Sequence, residues 1–117
     1  MSDLTKLQGA WRVVSLEMNG AGMPVPPAAR VVIKGARLQS LGMGAVYEGD
    51  MTLNEAARTF ALTFSAGPEG GRVNHALYAI EGDQLTLCIN VMGGPAPAAF
   101  ATRPGDGLAL ETLVREG

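Results

Sequence analysis

The feature that most constrains this chain is the alternation of its apolar residues in short runs, each cut off by glycine, proline or asparagine. In residues 58–65, RTFALTFS, Phe60, Leu62 and Phe64 point one way while Thr59, Ala61, Thr63 and Ser65 point the other. Residues 84–91, QLTLCINV, repeat the pattern, with Leu85, Leu87, Ile89 and Val91 set against Gln84, Thr86, Cys88 and Asn90. A period of two belongs to a half-buried strand, because successive side chains on a pleated backbone face opposite ways. Segments 10–18, 31–34, 37–41, 45–53, 73–80 and 108–116 also read as strands. Asn19-Gly20, Gly35-Ala36, residues 54–57, Gly67-Pro68 and Glu81-Gly82-Asp83 punctuate them as turns. Only the first residues favour a helix, with Asp3 as its cap, Leu4 and Leu7 on one face and Gly9 at its end.

No helix here is long enough for a parallel crossover, so strands that follow one another pair antiparallel. An open meander leaves two strand edges exposed, and pairing the first strand with the last removes both. The expectation is an all-β fold: a single up-and-down antiparallel eight-stranded barrel with a short N-terminal helix, residues 1–117 forming one domain. A two-sheet sandwich is the alternative. The 16 glycines and 7 prolines, set among 47% hydrophobic residues, suit a domain of many turns.

Gly9-Ala10-Trp11 opens the first strand and Arg115 lies in the last, a pairing that resembles the G-x-W motif and final-strand arginine of lipocalins and other calycins. The resemblance implies that Trp11 plugs one end of the barrel and Arg115 packs across its indole, with Gly9, Trp11 and Arg115 as structural landmarks. A guanidinium stacks well on an aromatic face while bonding nearby carbonyls. The chain is also similar over nearly its full length to an uncharacterised lipocalin-like family common in planctomycete genomes. The matching residues include Leu7-Gln8-Gly9-Ala10-Trp11, Val32-Ile33-Lys34-Gly35, Leu62-Thr63-Phe64, Leu87-Cys88 and Arg115-Glu116. That resemblance implies a lipocalin-like barrel and no established activity. The Ala-, Pro- and Gly-rich loops depart from the family.

Charge argues against polyanion partners. The net charge is −2, and the nine basic residues are scattered rather than clustered, so neither nucleic acid nor a membrane surface is an expected partner. One cysteine, Cys88, and one histidine, His75, make no metal site, and neither a catalytic set nor a cofactor is expected. His75 reads as a hydrogen-bonded wall residue beside Leu77, and a Cys88–His75 dyad would be diagonal at best. Glu48, Asp50, Glu81, Asp83, Glu111 and Glu116 read as solvated acids at turns or on polar faces. A lumenal placement of Glu48 and Asp50, which share a face, is the alternative. No apolar run precedes Trp11, which gives the cytoplasm as the expected location.

In a meander, the connections around residues 19–30, 42–44, 66–72 and 92–107 gather at the end away from Trp11. Long connections in small domains tend to serve a purpose. The expectation is a shallow cup lined by Phe60, Leu62, Phe64, Leu85, Leu87 and Ile89. Met23 and Phe100, with Val25 and Met92, would form its rim, and residues 19–30 its lid. The ligand would be small and apolar. The other reading is a filled barrel acting as an interaction module, whose apolar loops meet another chain, as in a homodimer.

Overall fold

The computed structural model describes residues 2–42, 46–66 and 71–116. Along the chain run α1 (Asp3–Leu7), β1 (Gly9–Met18), β2 (Ala21–Met23), β3 (Arg30–Lys34), β4 (Arg37–Leu41) and β5 (Tyr47–Asn54). They are followed by β6 (Thr59–Ala66), β7 (Val73–Glu81), β8 (Gln84–Asn90) and β9 (Leu108–Arg115). Every strand from β3 to β8 pairs antiparallel with the next, and β1 pairs with both β3 and β9. The sheet therefore closes on itself as an eight-stranded barrel, not a sandwich, with β2 as a short addition. Seven register pairs, from Trp11↔Arg115 to Met18↔Ala109, join β1 to β9.

Closure depends on local irregularities that bend the wall. The β1–β9 register slips between Val13 and Ser15, leaving Val14 as an extra residue with its side chain 41% exposed. A second slip falls between Glu48 and Gly49 on β5. Such bulges tighten strand twist and turn barrel corners. β2 pairs with Leu16–Met18 above the stretch where β3 pairs with Gly9–Arg12. The connection expected to be a free lid thus begins as wall. Val25 beyond it packs against the core, and the Ala29 carbonyl accepts from Val13 N at 3.1 Å.

Side chains fill the barrel unevenly. Leu7, Trp11, Leu85 and Leu113 are fully buried at one end, joined there by Val13, Ile33 and Tyr78. Helix α1 stops that end. Its cap is Ser2, whose Oγ accepts from Thr5 N, and not Asp3 as the sequence suggests. Asp3 is 6% exposed and instead accepts a 2.6 Å hydrogen bond from Tyr78 Oη. Desolvation, followed by the neighbouring Asp3, holds the Tyr78 phenol protonated well above its ordinary range. The helix is tied across the floor by a buried polar contact that a simple cap does not provide.

Candidate functional site

The floor of the lumen is Trp11. Its indole N–H donates to the Leu7 carbonyl at 2.9 Å, and the Arg115 guanidinium carbon lies 4.1 Å from the ring centroid. Arg115 also donates to the carbonyls of Gln8 and Lys6, each at 2.7 Å, and to Asp83 at 3.2 Å. One side chain thereby joins the last strand, the plug and the end of α1. A planar donor fork suits this role, and a lysine ammonium would not reproduce it.

Above the floor the barrel is hollow. A cavity of ≈ 350 Å³ is bounded by residues of every barrel strand. Its apolar wall includes Leu16, Val31, Leu38, Phe60, Leu62, Phe64, Leu87 and Ile89. Two positions of the lining are small, Ser40 on β4 and Ala109 on β9, and leave room between the larger side chains. A void of about 150 Å³ in an apolar core already admits benzene. This cavity has the size of a small-ligand pocket and its predominantly apolar lining.

Four polar side chains interrupt that lining. Glu111 on β9 stands beside Leu87 of β8 and Leu16 of β1 and forms no hydrogen bond or ion pair among the described residues. Burial alone pushes its carboxyl up to about 7, since the charged form loses its water without gaining a partner. Asn74 on β7 is 4% exposed and lines the same cavity, and its Oδ1 is buried without a hydrogen-bond partner. Ser40 and Tyr47 add hydroxyls on the β4–β5 side. Buried polar atoms in folded proteins are nearly always paired, so the unpaired Asn74 Oδ1, on the same wall as the half-buried Glu111, sets this lining apart from core.

The chain matches no family model, no curated protein and no solved structure. What it has for a functional description is the geometry above.

Of the residues the sequence assigned to the lumen, Phe60, Leu62, Phe64, Leu87 and Ile89 line the cavity. Leu85 does not. It is 0% exposed and lies in the packed layer around the floor, next to Leu113 and Ile80 in register. Met23 sits on β2 with its side chain 44% exposed. Phe100 is not at the mouth. The 92–107 connection runs back down the outside of the barrel, and Phe100 lies by Ala79, Glu81, Gln84 and Thr86 on the outer face of β7 and β8. Ala101 O meets Cys88 Sγ at 3.8 Å, and Thr102 bonds both Gly20 N and the Glu17 carboxylate. Apolar Cys88 and Leu110 face outward in register with Glu17, and a strap crossing them shields surface that water would otherwise meet. Residues 43–45 and 67–70, expected in two of the mouth connections, lie outside the described residues.

Glu48 and Asp50 point away from the lumen. Arg37 donates Nε to Glu48 at 2.8 Å, Nη1 to Asp50 at 3.1 Å and Nη2 to Ser65 at 2.6 Å. The guanidinium, helped by Gln39, holds the Glu48 carboxyl below its ordinary range. Cys88 is buried, and desolvation raises its thiol, the opposite of what activates a nucleophile. His75 pairs with Asn90 while Cys88 pairs with Leu77, so the two are diagonal on the outer face. Among the described residues no group of three or more acids, histidines or thiols is placed to hold a metal ion. No helix there is long and apolar enough to cross a membrane.

Glu111 and Asn74 were absent from the lumen as read from the sequence. Yet a signal for Glu111 was present. If Arg115 covers the Trp11 plug, then Leu113 and Glu111, two and four residues earlier on the same strand, share its inward parity.

Proposed function

We propose that this chain is a lipocalin-like binding domain that takes one small, largely apolar ligand into the upper part of its barrel. The reading rests on one observation: a cavity of ≈ 350 Å³ that the packed floor leaves open above it. A filled barrel would place larger side chains at Ser40 and Ala109, where this chain has small ones. A binding role without catalysis fits the candidate nucleophile, which lies on the outer wall under the strap, remote from the lining.

Titration with uncharged N-phenyl-1-naphthylamine, whose emission rises in apolar surroundings, tests the reading. The expected result is saturable uptake at one site per chain. Ala109→Phe adds bulk to the lining and should abolish uptake while the protein still melts cooperatively. Failure of the parent protein to take up dye, or equal uptake by the folded variant, overturns the proposal.

A further inference from the structure

Resting on that reading, we infer that the ligand carries a protonated amine, which Glu111 receives as a carboxylate inside the barrel. The argument starts from what the lining lacks. Among the described residues, the other cavity strands contribute Tyr47 on β5 as their single titratable side chain. β1, β3, β4, β6, β7 and β8 present apolar or neutral polar groups, and no Lys, Arg or His faces Glu111 among the described residues. The site therefore contains an acid with no internal cation.

Such an acid rejects as well as selects. An anionic ligand would meet like charge at low dielectric, where repulsion is poorly screened. A neutral alcohol gives Glu111 one hydrogen bond but leaves its charge uncompensated. An ammonium supplies both donors and opposite charge, and charge-assisted hydrogen bonds are the stronger kind. The apolar wall then covers the ligand's hydrocarbon body. Proton balance follows from the geometry. The empty site favours the neutral acid, and an entering ammonium stabilises the carboxylate, so binding releases the Glu111 proton to solvent wherever that acid was protonated.

The test displaces N-phenyl-1-naphthylamine with a matched series at pH 7.5: heptylamine, heptan-1-ol and heptanoate. Heptylamine should bind at least tenfold more tightly than heptan-1-ol, and heptanoate more weakly than both. Glu111→Gln should bring heptylamine to the level of the alcohol, both referred to the dye affinity measured for that variant, while the variant still melts cooperatively. Calorimetry at pH 6 in buffers of different ionisation enthalpy should show proton release with heptylamine in the parent protein and none in Glu111→Gln. If the alcohol matches the amine, or if Glu111→Gln binds the amine unchanged, the amine proposal is overturned while the cup stands. If neither dye nor alcohol enters the parent protein, the cup itself fails.

Discussion

Glu111 costs this barrel stability that most residues of its wall contribute. Its folded-state carboxyl is raised to about 7 against an ordinary value of 4.5. Between those values the folded chain holds a proton that the unfolded chain has lost, so stability falls as pH rises through that window. At pH 8 the loss is at most about 3 kcal/mol, and less to the extent that solvent in the open cavity reaches the half-buried carboxylate. Urea melts at pH 5 and pH 8 should therefore show a decline in the parent that is largely absent in Glu111→Gln, with the variant the more stable of the two at pH 8. The same decline in both proteins would mean that Glu111 is hydrated or paired. At the opposite end, Trp11 contributes what Glu111 withdraws. Truncating a fully buried aromatic leaves a cavity, and Trp11→Ala should cost about 3–5 kcal/mol. Domains of this kind are stable by about 5–15 kcal/mol, so the variant should sit near unfolding at 37 °C, measured as a drop in urea midpoint. A midpoint equal to the parent's would remove Trp11 from its place in the floor.

At the scale of elements, the alternating strands were legible and the segments without alternation were not. RTFALTFS and QLTLCINV lie within a residue of observed β6 and β8, since each pattern has a single way to face a core. Ala21-Gly22-Met23 has no such pattern, and only pairing with Leu16–Met18 makes it a strand. β9 misled for a different reason. Leu108, Leu110 and Val114 occupy one face and Ala109, Glu111 and Leu113 the other, so hydrophobicity alone sends Glu111 outward. The strap over Leu110 and Cys88 makes the opposite orientation stable, and nothing local in the strand encodes a strap. A tight approach of the same non-local kind holds the 24–29 segment. Gly42, just after β4, has φ +76°, and a methyl group there would collide with the Ala28 carbonyl and the Ala29 nitrogen. Gly35 also has positive φ, but open space surrounds it. Gly35→Ala should cost about 1 kcal/mol of backbone strain. Gly42→Ala should cost at least twice that, read from thermal melts of the two variants side by side. Equal melts would show that the 24–29 segment moves aside freely.

For the whole molecule, closure makes the barrel wall a single unit. With β1 hydrogen-bonded to β9 the described barrel strands close into a ring, the short β2 alone standing outside it, and the floor contacts of Trp11, Leu7 and Arg115 reach both ends of the chain. The strap belongs to the unit less firmly. It has no ladder of backbone pairing to the wall and is attached through Thr102, Cys88 and Asn90, through Gly105 N to Asn19 Oδ1, and by Phe100 lying on β7 and β8. Segments with few attachments open at lower free energy than the core they cover. The two probes needed to see this are already present, because the chain has one tryptophan in the floor and one cysteine under the strap. Trp11 emission and far-ultraviolet circular dichroism should shift together in urea, marking one cooperative transition. Reaction of Cys88 with Ellman's reagent should become measurable at urea concentrations where both signals are still native. A thiol that reacts only as Trp11 becomes exposed would mean that strap and barrel open as one body. The outer wall would then be as firmly built as the floor.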